Sequence, residues 1–212
     1  MSDILTDDSP KDACGVFGVW APGEEVSKLA YYGLFSLQHR GQESAGIAAS
    51  TGERISVYKD LGLVSQVFDE ATLSSLTGHI AIGHCRYGSE GADNWRFAQP
   101  TLGATADDRT VALGLNGALT NRSEVKAMIA DRFGDVDSGE IAQGNNSDTA
   151  LITTLLHGQH ERPLETTAPE VFASLEGAFS VVMMSENTLY AARDRHGFRP
   201  LVLGRLASGW VV

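Results

Sequence analysis

The spacing of apolar and polar positions changes several times along the chain, and each change marks an element. After a polar opening, the run CGVFGVW at 14–20 predicts a buried strand that begins at a cysteine. In the stretch 24–37, Val26, Leu29, Ala30, Leu34 and Leu37 recur at helical spacing. The polar segment Gln38-His39-Arg40-Gly41-Gln42-Glu43 predicts a turn at Gly41, with strands following at about 44–49 and 55–59. Two further strand-like runs, 79–87 and 110–115, each lead into a glycine-containing loop. Helical spacing returns at 124–133, 148–157 and 169–175. Near the end, 178–185 and 188–193 flank Glu186-Asn187, a hairpin signal, and 200–206 with 210–212 flank a second turn near Ser208-Gly209.

Strands joined by such short turns pair antiparallel, because a parallel pair needs a long crossover. The expected class is therefore α+β, antiparallel sheets covered by helices. Residues 1–13, polar and acidic with Pro10 near their end, have the composition of a disordered leader, and 14–212 that of the folded unit. Trp210-Val211-Val212 resembles a strand cut off in mid-run, as in the front part of a longer protein.

Composition narrows the function classes. Of 212 residues, 42% are hydrophobic and 20% charged, ordinary for a globular chain. A net charge of −11, with basic residues scattered singly, argues against a nucleic-acid partner. No apolar run approaches the roughly 20 residues of a membrane span, and no signal peptide opens the chain. The expectation is a cytoplasmic protein with no membrane partner. Two cysteines, Cys14 and Cys85, cannot ligate a metal alone, and two free thiols are expected in preference to a disulfide.

Four segments carry candidate chemistry, each with a bland reading beside it. Cys14 is either a small buried hydrophobe or a nucleophile. Were the chain cut after Ala13, the freed α-amine, with a pKa around 8, would lie beside its own sulfur and serve as base. In Gly83-His84-Cys85-Arg86-Tyr87, Arg86 suits a carboxylate through its planar fork, or a salt bridge; His84 reads as structural and Cys85 as core. Asn116-Gly117 is a turn signal, or an amide and a backbone N–H set side by side as an oxyanion hole. Ser147-Asp148 caps a helix, or presents the Asp148 carboxylate to a substrate ammonium. The segment from Arg193 to Pro200 mixes charge with a tight turn between hairpins.

In this order, CGVFGVWAPGEE, LQHRGQESAGI, DLGLVSQVF, AIGHCRYG, AQPT, NGALTN, SDTALI and ENTLYAARDRHGFRPLVLGR resemble the amino-terminal domain of the amidophosphoribosyltransferase family, along the chain from Cys14 to Val212. The resemblance implies an αββα sandwich of the N-terminal-nucleophile hydrolase type. It implies Cys14 as nucleophile after loss of a propeptide, Asn116 and Gly117 as oxyanion hole, Arg86 and Asp148 as grips for the glutamine carboxylate and ammonium, and Tyr87 in the pocket. The implied reaction is glutamine hydrolysis, delivering ammonia to make 5-phosphoribosylamine from phosphoribosyl pyrophosphate, the first step of purine biosynthesis. A phosphoribosyltransferase domain is expected beyond Val212, with magnesium bound there and an iron–sulfur cluster in some members, and no cofactor within this chain. The full-length protein is expected to be a homo-oligomer.

The chain departs from the family pattern at Leu115 and Ala118, at Gly88-Ser89, at Arg96-Phe97 and in the Asp194-Arg195-His196-Gly197-Phe198 turn. Those changes, with the missing transferase half, motivate a weakly active glutamine-binding remnant as the alternative. The glutaminase of another amidotransferase is a second alternative.

Overall fold

The computed structural model describes residues 14–87, 94–104, 109–133, 145–157 and 162–212. The leader and Gly88-Ser89 lie outside the described residues. One sheet has six strands in the order β3-β2-β4-β1-β10-β9, the other four in the order β5-β6-β7-β8. The strands are β1 (Gly15–Trp20), β2 (Ser44–Ser50), β3 (Ile55–Leu61), β4 (Ile80–Arg86), β5 (Thr101–Ala104), β6 (Thr110–Leu119), β7 (Gly177–Met184), β8 (Leu189–Arg193), β9 (Gly204–Arg205) and β10 (Trp210–Val211). Every described pairing is antiparallel. Helix α1 (Val26–Leu37) covers the first sheet, together with the short α2 (Val64–Val67) and α3 (Glu70–Ser75). Helices α4 (Arg122–Phe133), α5 (Asp148–His157) and α6 (Leu164–Ser174) cover the second. The result is an α+β sandwich of two antiparallel sheets between helical layers, the αββα arrangement that the resemblance implies.

Strands buried on both faces explain why apolar runs, and not strict alternation, mark the centre of each sheet. On β4, Ala81 and Cys85 face α1, while Ile80 and Ile82 face the other sheet. On β6, Val111, Leu113 and Leu115 pack among α4–α6, and Ala112 meets Ile80, Ile82 and Val182 between the sheets. Each buried Val, Leu or Ile among them contributes roughly 1.5–3 kcal/mol by leaving water. On α1 the buried positions Val26, Ala30 and Leu34 fall four apart, one stripe of a 3.6-residue helix. Gly33 lets that stripe lie close on β1, since a Cβ there would sit 2.4 Å from the Phe17 ring.

Several expectations need correction. Thr110 to Leu119 is one strand, so Asn116-Gly117 is not a hairpin turn; it sits mid-ladder opposite Ser180 and Phe179. Helix α6 begins at Leu164, not Pro169, which lies inside it. Burial of Leu164, Ala168 and Val171 along one face outweighs the hydrogen bond that Pro169 cannot donate. The last hairpin is shorter than expected: only Gly204–Arg205 pairs with β10, and Val202 and Leu203 are exposed. The Glu186-Asn187 turn forms as expected, closed by Ser185 N–H donating to the Thr188 carbonyl at 3.0 Å. Among the described residues no helix is long and apolar enough to cross a membrane.

Candidate active site

Strand alternation decides which side chains meet. On β1, Phe17 and Val19 point towards α1, whereas Val16 packs between the sheets. Cys14, two residues before Val16, therefore enters the inter-sheet layer at the foot of the strand. On β6, Ala112 occupies that layer and Asn116 follows it at even spacing. The two residues come from opposite sheets and line one cavity of about 470 Å³, with Arg40, Ser36, Pro200 and Val202 among its walls.

Cys14 is partly buried, and its Sγ is bracketed by the backbone of Tyr87, accepting from the N–H and donating to the carbonyl, each at 3.4 Å. Tyr87 thus meets the sulfur through its main chain, while the residue itself is exposed. Burial pushes the Cys14 thiol above its ordinary range; the Tyr87 backbone bond and the Arg86 guanidinium pull it back without cancelling the rise. Neither sulfur contact is with an imidazole or a carboxylate. Cys14 and Cys85 are both free. Cys85 is fully buried, and burial pushes its thiol up to about 11, which leaves it inert.

Arg86 ends β4, its guanidinium 5.6 Å from the centre of the Phe97 ring. Two residues earlier on the same face of the strand, His84 is fully buried, with Nε2 3.0 Å from the Leu115 carbonyl and Nδ1 without a partner among the described residues. Burial drives its pKa down to about 4. An unfolded histidine, near 6.5, binds the proton that the folded one refuses, so stability is fully present above about pH 6.5 and falls as pH drops towards 4. The loss is on the order of 3 kcal/mol. Chemical denaturation between pH 7 and 4 should show that slope, and His84→Gln should flatten it.

The donor geometry of β6 follows from its two edges. Thr120 N–H points towards β7, donating to the Glu176 carbonyl at 2.8 Å. Leu115 and Leu119 N–H point the other way, to Gln99 Oε1 at 2.7 Å and Asp148 Oδ2 at 2.9 Å. Gly117 lies midway between those two, so by the two-residue repeat its N–H shares their edge. The last residue there that pairs with β5 is Leu113, opposite Thr101. Gly117 adopts φ 129°, a backbone angle that favours glycine. Asn116, almost fully buried, has an Oδ1 without a partner.

Ser147 caps α5, its Oγ accepting the Ala150 N–H at 3.2 Å. Asp148 follows as the first helical residue. Its second oxygen is held by the guanidinium of Arg122, which also donates to the Asn146 carbonyl at 2.7 Å.

Sequence reasoning missed Arg122, the brace from Gln99, and the origin of the cavity wall. That wall depends on Asp194. Burial works to raise its carboxyl, but N–H bonds from Phe198, Arg199, Phe179 and His196 hold it below the usual carboxylate range. Ser180 Oγ then shares its one proton between the carbonyls of Arg199 and Pro200, at 3.2 and 3.0 Å, which fixes the approach to Val202. The departure at Leu115 is harmless to the cavity, because that side chain packs into the helical layer. Among the described residues no group of three or more His, Cys, Asp or Glu could hold a metal ion.

Comparison with known proteins places the chain in a family. Residues 92–212 match the model of the "Glutamine amidotransferase domain" family. The chain is 52% identical to amidophosphoribosyltransferase of Mycobacterium tuberculosis over 204 residues, which is 96% of this chain and 38% of that protein. For the Bacillus subtilis enzyme of that name the identity is 36%, over 95% of this chain and 40% of the relative. A solved structure described as the allosteric regulatory enzyme of purine biosynthesis superposes with a TM-score of 0.82 at 35% identity, covering 92% of this chain and 40% of the other. The Bacillus subtilis glutamine phosphoribosylpyrophosphate amidotransferase, complexed with ADP and GMP, gives 0.80 at 34%, with the same coverage. The chain thus spans about two-fifths of the length of these relatives. With its sandwich fold, its cavity between the sheets and this family match, the chain belongs to the glutamine amidotransferase domain family.

Proposed function

We propose that this chain hydrolyses the side-chain amide of glutamine, with Cys14 as nucleophile once residues 1–13 are removed. The observation that carries the reading is the pairing of Cys14 and Asn116 across one cavity, with no imidazole or carboxylate hydrogen-bonded to the sulfur among the described residues. A thiol raised by burial needs a base, and the α-amine of a terminal Cys14 supplies one.

In this scheme the amine takes the Sγ proton as sulfur attacks the amide carbon. Asn116 Nδ2–H and Gly117 N–H hold the developing oxyanion; one such donor is worth about 3 kcal/mol in other acyl-transfer enzymes. The amine returns its proton to the leaving nitrogen, which departs as ammonia and leaves a Cys14 thioester. Water then attacks the thioester and releases glutamate. Arg86 pairs with the substrate carboxylate and Asp148 with its ammonium. Tyr87 forms part of the pocket through its backbone.

In a longer protein like its relatives, the ammonia would be passed to phosphoribosyl pyrophosphate bound on a further domain, making 5-phosphoribosylamine. That activity belongs to a cytoplasmic enzyme of purine synthesis, assembled from several copies.

Steady-state glutaminase kinetics test the reading. Arg86→Ala should raise the KM for glutamine on the order of 10- to 100-fold, the range of a lost charge-assisted pair, with a much smaller effect on kcat. Arg86→Lys, which keeps the charge without the fork, should fall between. An unchanged KM in Arg86→Ala would remove Arg86 from the site.

A further inference from the structure

Asp148 already has a cation. Its Oδ2 accepts the Leu119 N–H, and Arg122 holds its Oδ1, so both oxygens are engaged before any substrate arrives. Arg122 is the first residue of α4, where the positive end of the helix dipole disfavours a cation. Its guanidinium is held there by Asp148 and by the Asn146 carbonyl. The two partners differ in exposure: the side chain of Asp148 is 11% accessible and that of Arg122 42%. The carboxylate is therefore the fixed half of the pair and the guanidinium the removable half.

From this we infer that Arg122 is a specificity-determining residue that occupies the ammonium subsite in place of substrate and sets how tightly glutamine binds. The inference rests on the reading of Asp148 as the ammonium acceptor. An incoming ammonium finds a neutral pair, not a bare carboxylate, and cannot share Oδ1 with the guanidinium without placing two like charges side by side. Glutamine binding then includes the displacement of Arg122 into solvent, and its affinity is lowered by whatever the ion pair is worth. A ligand lacking the α-ammonium has no need to displace it.

The test compares glutamine with glutaramate, the same amide and carboxylate without the α-ammonium, as substrates of the active protein. Arg122→Gln should lower the KM for glutamine roughly three- to fivefold, the upper range for a partly exposed ion pair, and leave kcat and the KM for glutaramate unchanged. Arg122→Lys, which restores a cation, should return the glutamine KM to the parent value. A glutamine KM that stays the same or rises in Arg122→Gln, or a parallel fall for glutaramate, overturns the inference. Asp148→Asn, whose amide oxygen can still accept the Leu119 N–H, separates this from the premise. If Asp148→Asn keeps the parent preference for glutamine over glutaramate, Asp148 does not bind the ammonium and the premise fails. If that preference collapses while Arg122→Gln leaves it unaltered, the premise stands and the role of Arg122 alone is wrong.

Discussion

Cys14→Ala should release no measurable glutamate from glutamine, a loss of at least about four orders of magnitude in kcat. The size of the effect follows from the site having no substitute. Cys85 is buried in the layer under α1 with its thiol raised to about 11, so it cannot take over the attack. The same substitution should leave the melting temperature nearly unchanged, because the side chain removed is small and, among the described residues, its sulfur makes two long hydrogen bonds, both with Tyr87. The parent enzyme should also show a characteristic pH response. A base that must be neutral is lost as pH falls, so kcat/KM should drop below about pH 8, where a terminal amine becomes protonated. His84, at about 4, is already neutral across that range and cannot produce the same limb.

The second large effect is expected at Gly117. An alanine Cβ there would lie 2.0 Å from the Ala178 carbonyl oxygen, and φ at 129° excludes ordinary side chains. Both obstacles are backbone, so no rotamer change relieves them. Gly117→Ala should therefore destabilise the domain by roughly 3 kcal/mol or more. It should also reduce kcat by at least about 100-fold, because the N–H proposed as an oxyanion donor shifts with the strand. Thermal unfolding and glutaminase rate should both register it. Gly114→Ala, on the same strand, is the control: its added carbon has only ordinary contacts, 3.5 Å from Val182 and 3.7 Å from His84.

Asn116-Gly117 also shows where sequence reasoning stops. An Asn-Gly pair between apolar runs is a local turn signal, and locally it reads as one. What keeps the strand straight through it is remote: Gln99 and Asp148 brace Leu115 and Leu119 on one edge, and β7 pairs along the other. The same limit applies to Arg122, whose partner lies 26 residues on, beyond any helical spacing. Long elements were legible because several turns or alternations repeat one message, as in α1 and in the β7–β8 hairpin. The short helices α2 and α3, with no more than two turns each, and the four-residue β5 carry too few repeats to stand out. Pro169 misplaced the start of α6 because a proline is commonest in a first turn, and only the buried face reveals the extra turn before it. Residues 200–203 read as strand, yet Pro200, Leu201 and Val202 line the Cys14 cavity and pair with no neighbour among the described strands. Family membership was legible for a different reason: the order of eight motifs is far more specific than any one of them.

In the proposed mechanism the attacking sulfur and the amine that activates it belong to the same terminal residue. Mass spectrometry of the active protein, after reaction with a glutamine analogue bearing an electrophilic ketone, examines that pairing directly. The predicted product is a single adduct on Cys14, in a chain that begins at Cys14 with an unblocked amine. An adduct on Cys85, or undiminished turnover by a chain that still carries residues ahead of Cys14, would contradict it.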